Sequence, residues 1–400
     1  MIFRAKIVVT MDGLPIENGA VITSGERTAA VGRFPELRKE YAHEEIVDLG
    51  ERALLPGLIN AHCHLDYTCL RGRIPRQRSF TDWIRVINAE KAKLSPENYI
   101  AAINEGFAEA KRFGTTTIAN LTAFPELVSR LDAPIRTWWF AELFDVRDPT
   151  RARHIIELAV EQLRSQEHWG LAPHAPFTAS GDLYRHSAEI ASLLTTHLAE
   201  SRDEMSMFRD GAGELYNFLK ELGRDMTDCG QQTPLEQFIH SSRGIEANRT
   251  YLLVHLNELR ETDLDLLKSA VTTASIVHCP RSHDYFGHSP FEFQKLRELG
   301  LNVCLGTDSL ASNRDLSLFA EMRAFEKEFP DVSPEEIVQM VTSNPARALR
   351  QENALGKIRA GFLADFVAIP FAKSASIFEE ILAFDQKVNW MMLGGRIWPN

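Results

Sequence analysis

The chain lacks a basic excess. Its 44 Lys and Arg are outnumbered by 55 Asp and Glu, for a formal charge of −11 over 400 residues. No basic stripe interrupts that balance, which excludes nucleic acid as the expected partner. Long apolar runs are missing as well. No window approaches 18 uninterrupted apolar residues, so no membrane span is expected. Residues 1–9 show neither an extended apolar region nor a cleavage site, and are not read as a signal peptide. Cysteines are few, five in all, odd in number and without a C-x-x-C spacing. That excludes a disulfide framework and fits a reduced, cytoplasmic setting. Low-complexity tracts and short-period repeats are absent too.

What is present is an ordinary globular composition, 44% hydrophobic and 25% charged. The length suits one large barrel with a small accessory unit. Residues 1–53 read as short strands and turns, and the stretches 361–369 and 390–397 look alike. Neither end has much core alone, and pairing them would bury both. The middle alternates strand-like with helix-like segments, the mark of a parallel sheet. Its candidate strands are 54–60, 114–121, 135–143, 169–174, 193–198, 251–256, 274–279 and 301–307, eight in all, as a closed barrel requires. Ser95-Pro96 reads as a helix start and Ser333-Pro334-Glu335-Glu336 as a capping box. The expected fold class is α/β: a (β/α)8 TIM barrel over 54–354, inserted into a small β-sandwich formed by 1–53 and 355–400.

Polar residues gather at the carboxyl ends of these strands, where chemistry sits in such barrels. The apolar run 54–61 ends in His62-Cys63-His64. Residues two apart on a strand share a face, which turns Cys63 away from the two histidines. Strand four offers His174, strand five His197 and Glu200, and strand six His255. Strand seven ends in His278, Arg281 and His283, and strand eight in Asp308. An isolated H-x-H arises by chance, but buried polar strand ends are costly unless they converge on something. His62, His64, His197 and Asp308 together make a four-ligand shell for one divalent ion, with an open position for water or substrate. Zinc is the first expectation, and iron accepts the same donors. Such an ion would lower the pKa of a water toward about 7. Asp308 would take that proton, His255 would orient the water, and Glu200 would act as general acid.

The ordered set resembles the amidohydrolase superfamily, and within it the mononuclear deaminase branch. The matched pieces are residues 56–64, His197-x-x-Glu200, His255, His278-Cys279-Pro280, Gly306-Thr307-Asp308-Ser309 and the tail around Gly356, Gly361 and Ala364-Asp365. They span essentially the whole chain. The resemblance implies hydrolytic deamination of an aminated heterocycle, with an adenine nucleoside derivative as the leading substrate. Binuclear relatives use a modified lysine from strand four. His174 stands there instead, which implies a single metal, and similar deaminases use that histidine to contact substrate. One departure is His283, where many relatives carry Asn. Residues 283–288 are similar to sequences assigned to aminofutalosine deamination. That substrate bears a benzoate, and a carboxylate suits an arginine fork. Arg281 and His283 therefore join His174 as candidate substrate contacts, with Trp83 as a cover for the base. The cluster Arg71, Arg73, Arg76 and Arg78 is a further source of guanidinium groups, although such a cluster also reads as a solvated face.

Two other readings compete. The same site could serve another leaving group, such as a triazine chloride or an amide. Alternatively, the barrel binds a metal or ligand without catalysis, since fold alone does not give function. The pair Glu200 and Asp308 argues for proton transfer and against mere binding. The H-E-x-x-H and P-C-x-x-C zinc patterns are absent. A small molecule is the expected partner, a homodimer the default from base rates, and the choice of substrate lies in the loops.

Overall fold

The computed structural model describes residues 1–146, 148–242, 249–270, 274–372 and 376–398. Parts of the expected 355–400 unit, 373–375 and 399–400, thus lie outside the described residues. Short alternating strands open the chain: β1 (Ile2–Val8), β2 (Ile16–Ser24), β3 (Arg27–Arg33), β4 (Ile46–Asp48) and β5 (Arg52–Pro56). The barrel strands follow as β6 (Leu58–His64), β7 (Thr115–Thr122), β8 (Arg136–Leu143), β9 (Trp169–Pro173), β10 (Leu193–Leu198), β11 (Thr250–His255), β12 (Ser275–His278), β13 (Asn302–Leu305) and β14 (Asp308–Ser309). The chain ends on β15 (Phe366–Pro370), β16 (Trp390–Leu393) and β17 (Arg396–Trp398).

Both chain ends meet in one mixed sheet of order β17-β16-β15-β5-β1-β2-β3, with β4 on β1. Phe3, Val21 and Leu54 from one end pack with Phe366 and Met392 from the other. Each end thus supplies the apolar surface that the other lacks. The apolar run expected as a single barrel strand is divided. Residues up to Pro56 pair with β15, and the barrel strand begins at Leu58. Gly57 sits at the division, and a Cβ there would stand 2.1 Å from the Thr116 hydroxyl.

Strands β6 to β13 are parallel neighbours in chain order, with β14 returning to pair with β6. β13 and β14 are two halves of the eighth strand. The first half lies against β12, and Asp308 then pairs with Cys63 on the other side, which closes the barrel. The change of partner happens at Gly306, whose N–H donates to His278 O at 2.9 Å, while Thr307 N–H reaches His62 O at 3.0 Å. A Cβ on residue 306 would lie 2.8 Å from His62 O, so only glycine permits the crossing. The helix Pro96–Arg112 starts at Ser95 with a complete capping box through Asn98. Ser333 caps its helix through Glu336 N–H, but the Glu336 carboxylate turns outward to Arg297 at 2.8 Å.

Candidate active site at the mouth of the barrel

Breaks in strand regularity aim the central side chains. Ile59 and Ala61 belong to the barrel interior with Phe140, Leu252 and Val254. Cys63 belongs to the layer between strands and helices. The phase changes between them because the register of β6 against β7 slips between Asn60 and Cys63. A bulge of this kind re-aims a strand, and here it turns His62 and His64 inward. Strand β11 achieves the same by another route. Val254 already faces the interior, so alternation would send the next residue out, and His255 instead adopts a left-handed φ of 83°. Ala199, just before Glu200, and Asp308 are also left-handed, at 49° and 56°. Non-glycine residues held this way are strained, and such strain gathers at functional sites.

The inward side chains converge. His64 Nε2 and His197 Nε2 lie 3.2 Å apart. Asp308 Oδ1 stands 3.7 Å from His62 Nε2 and 3.9 Å from His64 Nε2. His62 is fully buried, yet neither of its ring nitrogens has a hydrogen-bond partner. His197 Nδ1 lies 3.0 Å from the His174 carbonyl and must donate to it, which leaves the Nε2 lone pair free. Nitrogen ligands about 2.0–2.1 Å from a tetrahedral ion sit roughly 3.3 Å from one another. The spacing, the orphaned His62 nitrogens and the fixed His197 tautomer all fit a divalent cation held by these residues. His62, His64 and His197 can each offer one ligand atom within 4.8 Å of the others.

The two carboxylates differ in setting. Burial pushes the Glu200 carboxyl well above its ordinary range, and the nearby charge of Asp308 adds to this. Burial acts in the same direction on Asp308, but the facing His62, His255 and His64 outweigh it and hold that carboxyl well below its usual range. Asp308 is also fixed by Ser282 Oγ at 2.6 Å and by the Ser309 N–H at 2.7 Å. His255 Nε2 lies 3.5 Å from Glu200 Oε1. The Glu200 backbone is pinned by Glu204, which accepts its N–H at 2.7 Å, and by Asn257. Burial and the facing His62 push His197 down to about 4, so its imidazole is neutral at physiological pH.

Above this floor lies a cavity of about 280 Å³. His64, His174, His197, Glu200, His255 and Asp308 all line it, and Trp83, Ile84, Phe177, Phe218 and Leu219 supply apolar walls. Trp83 comes from the helix Phe80–Lys91 and packs edge-on against Phe286. His174 is held by Thr178 at 2.6 Å through Nδ1. Two candidate contacts lie elsewhere. Arg281 turns its guanidinium to Asp315 at 2.7 Å, because carboxylates of the neighbouring loop and helix reach it first. His283 places Nε2 2.8 Å from Ser289 O. Both line a separate, wider cleft of about 950 Å³. The arginine cluster stays out of the cavity as well: Arg71 pairs with Glu109, Arg76 lies 3.0 Å from Asp284, and Arg73 and Arg78 are exposed.

Two residues of the cavity escape sequence reasoning. Glu142, near the end of β8, lies 3.9 Å from both His64 Nδ1 and His174 Nε2, and burial pushes it up to about 8. It is an acid at a strand end, the signal that singled out the others, but it hides in an apolar run. Lys91 lines the same wall and donates to the Tyr67 hydroxyl at 2.8 Å. On a helix its sequence context gives no such signal.

Comparison with known proteins follows the same lines. A profile of the amidohydrolase family matches residues 53–397. The 5-methylthioadenosine/S-adenosylhomocysteine deaminase 1 of Syntrophus aciditrophicus is 28% identical over 376 residues, 88% of this chain and 80% of that protein. A solved Helicobacter pylori aminofutalosine deaminase in complex with methylthio-coformycin superposes with a TM-score of 0.86 over 99% of both chains at 24% identity. An adenosine deaminase from Xanthomonas campestris with bound zinc gives 0.80 over 99% of this chain and 92% of its own, at 22% identity.

Proposed function

Because the chain belongs to the amidohydrolase family, we propose that it is a metal-dependent hydrolytic deaminase of an adenine nucleoside derivative, with aminofutalosine as the leading candidate. The observation that carries this reading is convergence: His64, His197, an anionic Asp308, and Glu200 beside His255 line one cavity, and the buried, unpaired His62 stands 3.7 Å from Asp308 Oδ1. Relatives named as deaminases of 5-methylthioadenosine and aminofutalosine support the substrate class. In this reading the catalytic unit runs to residue 354 but starts at Leu58 instead of the expected residue 54, because β5 (Arg52–Pro56) joins the composite β unit of the N-terminal residues and 355–400.

His62, His64, His197 and Asp308 would hold the ion, zinc by first expectation, which when bound supplies a Lewis acid and an activated water. Asp308, fixed by Ser282 and Ser309, would accept a proton from the attacking water at its carboxylate. Glu200, kept protonated by its burial, delivers a proton to the ring nitrogen beside the amine-bearing carbon. His255 orients the oxygen and stabilises charge that develops there. Water adds, ammonia leaves, and the amine is replaced by a carbonyl. His174 and Trp83 face the heterocycle from the cavity wall. The apolar walls suit an appendage on the nucleoside better than a bare ribose.

Ammonia release from the metal-loaded protein tests the proposal, across adenosine, 5′-substituted adenosines including aminofutalosine, guanine, cytosine and aminated triazines. Release from the adenine nucleosides that disappears in Asp308→Asn is the expected result. Silence on every amine, with chloride released from a chlorotriazine or an amide cleaved, would overturn deamination in favour of another leaving group.

A further inference from the structure

A second cluster of histidines lies beside the first and has no part in the proposed reaction. His278 ends β12, is fully buried and stacks on Phe291 with ring centroids 3.9 Å apart and an interplanar angle of 5°. Neither of its ring nitrogens has a hydrogen-bond partner. A neutral imidazole carries one donor and one acceptor, and leaving both dry and unpaired is unfavourable. His283 sits one turn into the helix Pro280–Phe286, its ring centroid 5.2 Å from that of His278. Its Nε2 lies 2.8 Å from the Ser289 carbonyl, which can only accept. The proton is therefore on Nε2, and Nδ1 keeps its lone pair. A backbone carbonyl holding one imidazole nitrogen so that the other is free is the usual support of a metal-ligating histidine. Glu328 closes the group from the end of the helix Leu318–Glu328. Ligand atoms of His278, His283 and Glu328 all lie within 4.8 Å of one another.

We propose that His278, His283 and Glu328 form a second divalent-cation site, chemically suited to zinc, that clips the end of β12 to the helices of the seventh and eighth β/α units. Two imidazoles and one carboxylate are a borderline donor set, and three protein ligands leave a position for water. The wide cleft gives access, since His283 and Glu328 both line it. Of the cations on the same wall, Arg281 is neutralised by Asp315 and Glu321. Lys327 stands in the lining and limits affinity. The site is independent of the deaminase reading, because none of its three side chains lines the catalytic cavity.

Metal content decides the matter. The chelated protein is reloaded by equilibrium dialysis against micromolar zinc, and bound zinc is measured for wild type, His283→Gln, Glu328→Gln and the surface control Glu292→Gln. Loss of close to one equivalent in both His283→Gln and Glu328→Gln, with the control unchanged, is expected. Added zinc should also raise the melting temperature of wild type more than that of either variant. Glu328 sits on an exposed helix end, so its variant folds and keeps the test decisive. Zinc contents and melting shifts equal to wild type in both variants would overturn the site and leave His278 to an ordered water. His197→Ala should lose a different equivalent, so a failure of the mouth-of-barrel reading shows itself separately.

Discussion

Two depressions share the carboxyl end of the barrel, and the smaller one holds the groups assigned to the proposed reaction. The cleft of about 950 Å³ is more than three times the size of the cavity of about 280 Å³. Its arginines, however, are mostly matched, Arg281 with Asp315, Arg76 with Asp284, and Arg71 with Glu109, and among the described residues its unsatisfied atoms are confined to the histidines around His278 and His288. At the floor of the cavity several polar groups lack protein partners or are shifted by burial. His62 has two unpaired nitrogens, and Glu200 and Glu142 are carboxyls pushed upward by burial. Size shows where a molecule fits, while unsatisfied and strained polar groups show where something is held and changed.

The sharpest way to break this contrast is Glu200→Gln. It should lower kcat by about 10²–10⁴-fold, the range for a lost general acid, while bound metal stays at the wild-type level by elemental analysis. Full turnover in that variant would remove Glu200 from its role. A paired comparison sharpens the contrast further. Trp83→Ala, which opens a cavity wall, should raise KM by roughly tenfold, the order of one lost aromatic contact. Arg76→Gln, which breaks an exposed pair in the cleft, should leave kcat/KM within about twofold. Equal effects from the two would erase the distinction between the depressions.

The subtlest difference is one of pH. Burial raises the Glu204 carboxyl from near 4.5 to about 8. The folded chain therefore binds this proton more tightly than the unfolded chain does, and the stability it contributes is lost as pH rises from about 4.5 to about 8. Glutamine keeps the acceptor for the Glu200 N–H and removes the titration. Melting temperatures at pH 5.5 and pH 8 should show Glu204→Gln gaining on wild type at the higher pH. A parallel fall in both proteins would place the sensitivity elsewhere.

The fold was largely legible because its periodicities are strong. Eight strand segments fall where apolar runs stand, and both ends join one sheet because neither could bury itself. The failures are local and physical. The run 54–60 gives no sign that Gly57 divides it between two sheets, since both halves are apolar and buried. The eighth strand reads as one unit, but its change of partner at Gly306 depends on closure of the whole barrel. At the site, the residue types were readable and their aim was not. His62 and His64 owe their direction to a register slip, and His255 to a left-handed φ. Arg281 shows the opposite error. Its charge is plain in the sequence, but only the folded chain reveals that Asp315 and Glu321 have already taken it.

The shared sheet also sets a timetable for synthesis. β5 is flanked by β1 on one side and β15 on the other, and β15 emerges more than three hundred residues after Pro56. At about 5–20 residues per second, translation leaves that edge uncovered for on the order of tens of seconds. An uncovered strand edge is open to pairing with other chains. The strand bearing His62 and His64 starts only two residues beyond β5. A ribosome that stalls before Phe366 would therefore hold the histidine strand tethered to a half-built sheet, with its open edge exposed to every neighbouring nascent chain.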